Sequence, residues 1–175
     1  MKKIALILVI AMLPLAGFSQ SAFDKFESLE SVKTVVINKK AFELFSRIET
    51  NDADAQEFMS LTKSLTSLKV FATENPKVAA EMKATVDKYL SSSSLEELMR
   101  VKDDDTNVKF YIKPGKDDDH VSELLMFVNG IKDVDINGGK IETVLLTLTG
   151  NIDLNKISTL TSNMNLPSEL NKAGQ

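Results

Sequence analysis

Apolar positions along this chain switch between two spacings, and the switches mark its elements. Residues 32–38, Val-Lys-Thr-Val-Val-Ile-Asn, are β-branched and mostly apolar, which predicts a largely buried strand. Ala41, Phe42, Leu44, Phe45 and Ile48 then recur at helical spacing, and a second helix is expected over residues 53–65 with Phe58, Met59 and Leu61 inward. Residues 67–73, with Leu68, Val70 and Phe71, read as a second strand, completing a β-α-α-β unit. Asn75-Pro76 opens the next helix, because asparagine caps free amide groups and proline, its φ preset, needs no donor at the first position. Val78, Ala79, Met82, Val86, Tyr89 and Leu90 form the apolar face of that helix.

Serines 91–94 interrupt the pattern. Ser94-Leu95-Glu96-Glu97 fits a capping box, so a short further helix is expected, with a flexible linker as the other reading. Beyond it the period becomes two: Val108, Phe110 and Ile112 alternate with Lys109, Tyr111 and Lys113 in a half-exposed strand that Pro114-Gly115 ends. Strands follow over residues 121–128 and 141–149, the second centred on Val144, Leu145, Leu146 and Leu148. Gly150 closes it, and Asp153 is placed to cap a final helix through Leu154, Ile157 and Leu160 before Pro167 and a polar tail. Short connections favour antiparallel pairing. The expected fold is therefore α+β: a mostly antiparallel sheet of about five strands with helices packed on one face, compatible with a ferredoxin-like arrangement.

The first residues change the picture. Met1-Lys2-Lys3, the apolar run 4–16 and the small residues Gly17 and Ser19 follow the order of a secretory signal. Cleavage after residue 19 leaves one domain over residues 20–175. The competing reading, a membrane anchor, fails because the run is shorter than the ~20 residues a span needs and contains Pro14. Cys 0 excludes disulfides, thiol nucleophiles, iron–sulfur clusters, cysteine zinc sites and a lipoprotein's acylated cysteine. The expectation is a periplasmic or extracellular protein with no stable membrane anchor after cleavage. Losing Lys2 and Lys3 with the signal takes the net charge from -4 to -6, which opposes nucleic acid and anionic lipid as partners.

Candidate chemistry is sparse. Asp133, Asp135 and Asn137 with Gly138 begin like a calcium loop, but the twelfth position is Val144 where a bidentate glutamate belongs, and Asn137-Gly138-Gly139 also reads as a hairpin turn. Acidic runs 103–105 and 117–119 flank the strand at 108–113, about 30 Å apart, too far to share one ion. His120 is the single histidine; with Asp117 and Asp119 it makes the cluster around which a hydrolase site could form, although no G-x-S-x-G nucleophile accompanies it. Ser60-Leu61-Thr62-Lys63 has the S-x-x-K spacing without the companion S-D-N and K-T-G elements. No glycine-rich phosphate loop occurs, so no cofactor is expected. Thr143, Thr147 and Thr149 alternate along one side of the last strand and are expected on an exposed sheet face.

Phe23-Asp24-Lys25-Phe26, Val121-Ser122-Glu123-Leu124 and the run from Leu146 through Thr149-Gly150-Asn151 to Leu154 together resemble the secreted Bacteroidota family known as domain of unknown function 4252. The resemblance implies an export signal and carries no assigned activity or catalytic residue. Where a member has a lipoprotein cysteine, this chain departs from it. The leading functional expectation is an exported, non-enzymatic binding or accessory module of the cell envelope, acting on a protein or peptide at a sheet edge or uncovered sheet face. The alternatives are a secreted hydrolase with a loop-assembled acidic site and a calcium-stabilised adhesion-type module.

Overall fold

A computed structural model describes residues 21–48, 51–103, 106–131, 135–136 and 139–154. A short 3-10 helix, Ser21–Phe26, leads into strand β1, Val32–Asn38. Helices α1, Lys39–Phe45, and α2, Ala53–Thr62, connect it to β2, Leu65–Thr73. Helix α3, Pro76–Ser92, crosses to β3, Glu96–Asp103, after which β4, Thr106–Pro114, and β5, His120–Asn129, return as a meander. The two-residue strands β6, Asp135–Ile136, and β7, Gly139–Lys140, pair with each other before β8, Thr143–Asp153. The order β1-β2-β8-β5-β4-β3 makes one open six-stranded sheet, antiparallel at every junction.

Capping explains two of the helix starts. Asn38 Oδ1 accepts from the Ala41 amide at 3.1 Å, and Asn75 Oδ1 accepts from Lys77 and Val78 ahead of α3. On one sheet face, Phe71, Leu125, Phe127, Tyr111 and Leu145 pack against Met82, Val86 and Tyr89 of α3 and against Phe23 and Phe26. The other face gathers Phe110, Leu124, Met126, Leu146 and Leu148, with Phe42 of α1 against them. Apolar side chains alternating to both faces are the pattern of a sheet buried on both sides.

The structure departs from several expectations. The sheet has six strands rather than five, because the segment expected as a short helix after Ser94 is β3, held by its ladder with β4 from Glu96↔Ile112 to Asp103↔Thr106. Tertiary pairing overrides a local helix-start signal when a partner edge is available. Helices are not confined to one face, since Phe42 places α1 opposite α3. The strand-helix-strand-strand run that prompted the ferredoxin-like comparison sits inside this larger meander, with the last strand inserted between β2 and β5.

That insertion also overturns the reading of the threonines. Thr143 and Thr147 are buried, and Thr149 shares a 2.9 Å hydroxyl contact with Thr66. Neighbours on both edges and packed layers on both faces bury Thr143 and Thr147, whereas Thr149 is half-buried and Asn151 is exposed. β8 runs four residues beyond the expected end by passing through Gly150, whose φ of 148° and close approach to the Ser64 carbonyl admit no side chain. Finally, β1 is a sheet edge and not a largely buried strand: of its seven residues only Val32 is buried. The expected final helix lies outside the described residues beyond Leu154.

Candidate functional site

Among the described residues, the large exposed hydrophobics are Val35, Val36, Leu44, Phe45, Ile48 and Leu98, and all but Leu98 fall within one stretch, residues 35–48. Val35 and Val36 are 51% and 46% exposed, and Leu44 and Ile48 are 64% and 55% exposed. The local cause is geometric. A seven-residue helix has one turn that can reach the sheet, and Phe42 takes that place, so its neighbours at 44, 45 and 48 point elsewhere. The Phe45 ring leans on Phe42 edge-on, centroids 6.5 Å apart, which fixes the exposed aromatic against the buried one. Exposed Lys39, Lys40 and Arg47 border the patch with Glu43, making this corner locally cationic in an acidic chain.

The backbone of β1 adds a second feature. Its inner edge is paired with β2 in unbroken register from Val32↔Thr73 to Asn38↔Ser67, while its outer edge borders no strand among the described residues. Apolar surface beside an unpaired strand edge is what a protein partner can use, by burying the first and extending the ladder of the second.

His120 opens β5 at the β4–β5 turn, where its Nδ1 contacts Asp117 Oδ1. That hydrogen bond holds the Asp117 carboxyl below its ordinary range despite opposing desolvation. Asp117 and Asp119 are exposed, the Asp119 carbonyl accepts from the Leu154 amide at 2.9 Å, and the Ser122 hydroxyl donates to the Lys113 and Pro114 carbonyls. The turn thus orients one imidazole. A cleft of about 370 Å³ lies elsewhere, lined by Glu30, Ser31, Lys33, Thr73, Glu74 and Ile141 among others, with Lys33 and Glu74 paired at 3.1 Å. His120 is opposite Asp153 at one end of β8 and the cleft is near its other end, roughly 30 Å away along the strand.

Asp135 begins β6 opposite Lys140, whereas Asp133 and Asn137 lie outside the described residues. Among the described residues, no three acidic or histidine side chains come together in a group that could hold a metal ion. No described helix is long and apolar enough to cross a membrane. Ser60 ends up near the close of α2, with Lys63 exposed in the turn after it.

Sequence reasoning missed the corner at 35–48 because its apolar letters fit a core-facing strand and helix equally well. The available signal was the shortness of the helix, bounded by Asn38 and Ser46, which leaves room for one inward residue.

No curated protein and no solved structure matches the chain. The family model described as a domain of unknown function (DUF4252) matches residues 26–160, a span from the 3-10 helix through all of the sheet. The chain belongs to the DUF4252 family.

Proposed function

We infer that this chain is an exported, non-enzymatic binding or accessory module of the cell envelope, of the secreted Bacteroidota type, that holds a protein or peptide partner on the corner formed by β1 and α1. The observation that carries the reading is that Val35 and Val36, on opposite faces of β1, and Leu44, Phe45 and Ile48, on and just after α1, are all exposed beside a strand edge that no other described strand pairs. Exposing that apolar surface costs solubility, and burial of roughly 25 cal/mol per Å² becomes available once a partner covers it. Export rests on the order of basic, apolar and small residues over positions 1–19.

The test places a photo-crosslinking residue at Val35, Leu44 or Ile48 in the native host, with Lys77 on α3 as the control position. A defined adduct from the first three positions and none from Lys77 supports the reading. Equal labelling at all four, or none under efficient crosslinking, sinks it. Fractionation with N-terminal sequencing checks location: a new N-terminus near Gln20 in the envelope fraction is expected, and an intact Met1 in the cytoplasm contradicts export.

A further inference from the structure

The two edges of this sheet are built differently. β3 is charged at Glu96, Glu97, Arg100 and Lys102, and its ladder with β4 is interrupted by a register shift between Glu97 and Met99. Charges and bulges are the devices that stop an edge from recruiting another strand. β1 has little of either: Lys33 is its sole charge, it contains no proline, and its register with β2 runs without a shift over all seven residues. Val35 and Val36 are about half exposed on opposite faces of this open edge.

We propose that β1 pairs antiparallel with β1 of a second copy of this chain, centred on Val35, joining the two sheets into one. Two-fold symmetry restricts the register, since an antiparallel ladder alternates two kinds of pair and a symmetric one must have some residue facing itself. Centring on Val35 matches Val32 with Asn38, Lys33 with Ile37 and Thr34 with Val36, so every residue of the strand finds a partner. Moving the centre to Val36 shortens the ladder and leaves Lys33 facing the start of α1; moving it to Thr34 leaves the end of β1 facing the preceding turn. Antiparallel pairing also brings the turn before β1, with exposed Glu30, to the same end of the ladder as the first turn of the other copy's α1, with exposed Lys39 and Lys40, twice by symmetry, giving charge complementarity at both ends. The two Val35 side chains then cover each other on one face.

This proposal rests on the reading of residues 35–48 as an interaction surface and names its occupant. Because the chain has no cysteine, a single Val35→Cys variant can form a disulfide only with a second copy. Facing residues across an antiparallel ladder have Cα atoms ~4.5–5.5 Å apart, within the span of a disulfide. The purified mature protein is expected to sediment at twice the monomer mass at tens of micromolar. Val35→Cys should crosslink under mild oxidation, and Val101→Cys on β3 should not. Val35→Lys should shift the protein to monomer with an unchanged circular dichroism spectrum, which excludes misfolding as the cause. Lys40→Glu should weaken the dimer about tenfold and Glu30→Lys combined with Lys40→Glu should restore it.

A protein that stays monomeric at millimolar concentration overturns the proposal, as does a dimer that Val35→Lys leaves intact and Val35→Cys does not crosslink. A strict monomer whose Val35 still crosslinks to a different envelope protein overturns the second copy as occupant while leaving the binding-module reading standing. A monomer with no adduct at Val35, Leu44 or Ile48 removes both.

Discussion

The Tyr89 hydroxyl lies 2.8 and 3.0 Å from the two carboxylate oxygens of Glu123, tying the last turns of α3 to β5 inside the helix-covered face. Both residues are buried, at 7% and 5% exposure. A buried carboxylate is costly unless hydrogen-bonded, and the tyrosine supplies such a bond beside the apolar run from Leu124 to Val128. Tyr89→Phe removes that donor while the ring still packs against Phe23, centroids 5.1 Å apart. The expected loss is about 1–3 kcal/mol. Urea unfolding of the variant reads it directly, and a change under about 0.5 kcal/mol would mean the contact is dispensable.

Lys69 on β2 reaches Asp24 and, at 2.7 Å, Glu27, clasping the 3-10 helix to the sheet. Burial pulls its pKa down, but the hydrogen bonds and charges of Asp24 and Glu27 outweigh it and the net shift is above the ordinary 10.5. A raised folded-state pKa stabilises the protein fully below the unfolded value and ceases to do so as pH climbs through the folded one. Stability measured by denaturant should therefore be about 1 kcal/mol lower for Lys69→Met than for wild type at pH 7, and the gap should begin to narrow above pH 10.5 and close as pH passes the raised folded-state value. A gap independent of pH would assign the effect to packing of the lysine stem instead.

Gly150 has a φ of 148°, and an added Cβ would meet the backbone of Ser64 and Leu65. Gly150→Ala is expected to cost more than the ~1 kcal/mol of an ordinary glycine replacement, since strain and a backbone clash act together at the central strand. Thermal unfolding tests it; an unchanged Tm would show that the β2–β8 irregularity beside Leu65 can absorb a methyl group.

Phe42 and Leu44 share one short helix yet should behave oppositely. Phe42→Ala deletes a ring packed in the sheet core and is expected to cost about 3–5 kcal/mol. Leu44→Ser, at 64% exposure, should change stability by less than about 0.5 kcal/mol while reducing crosslinking of the corner to its partner. Comparable destabilisation by both would mean that Leu44 belongs to the core and that the corner is structural.

Much of the fold is legible in the sequence where local chemistry and tertiary context agree. Asn75-Pro76 starts α3 in the chain as in the letters, because capping is settled within three residues. The alternation at Val108, Phe110 and Ile112 does mark a strand, and those three do share one face. The candidate corner was not legible. Val35 and Leu44 are apolar letters like any core residue, and only the position of β1 at the sheet edge and the single inward turn of α1 leave them exposed.

The sequence by itself determined the periodicities, the caps, the absence of thiol chemistry and most of the strands, since these depend on residues close together in the chain. Tertiary structure alone decided that Glu96–Asp103 is a strand, because its ladder comes from β4. It also decided that β8 lies at the centre of the sheet, which buries Thr143 and Thr147, and that β1 lies at the rim, which exposes its valines. Strand order is set by which edges meet across long loops, and exposure follows from that order; neither quantity is encoded in any local window of residues.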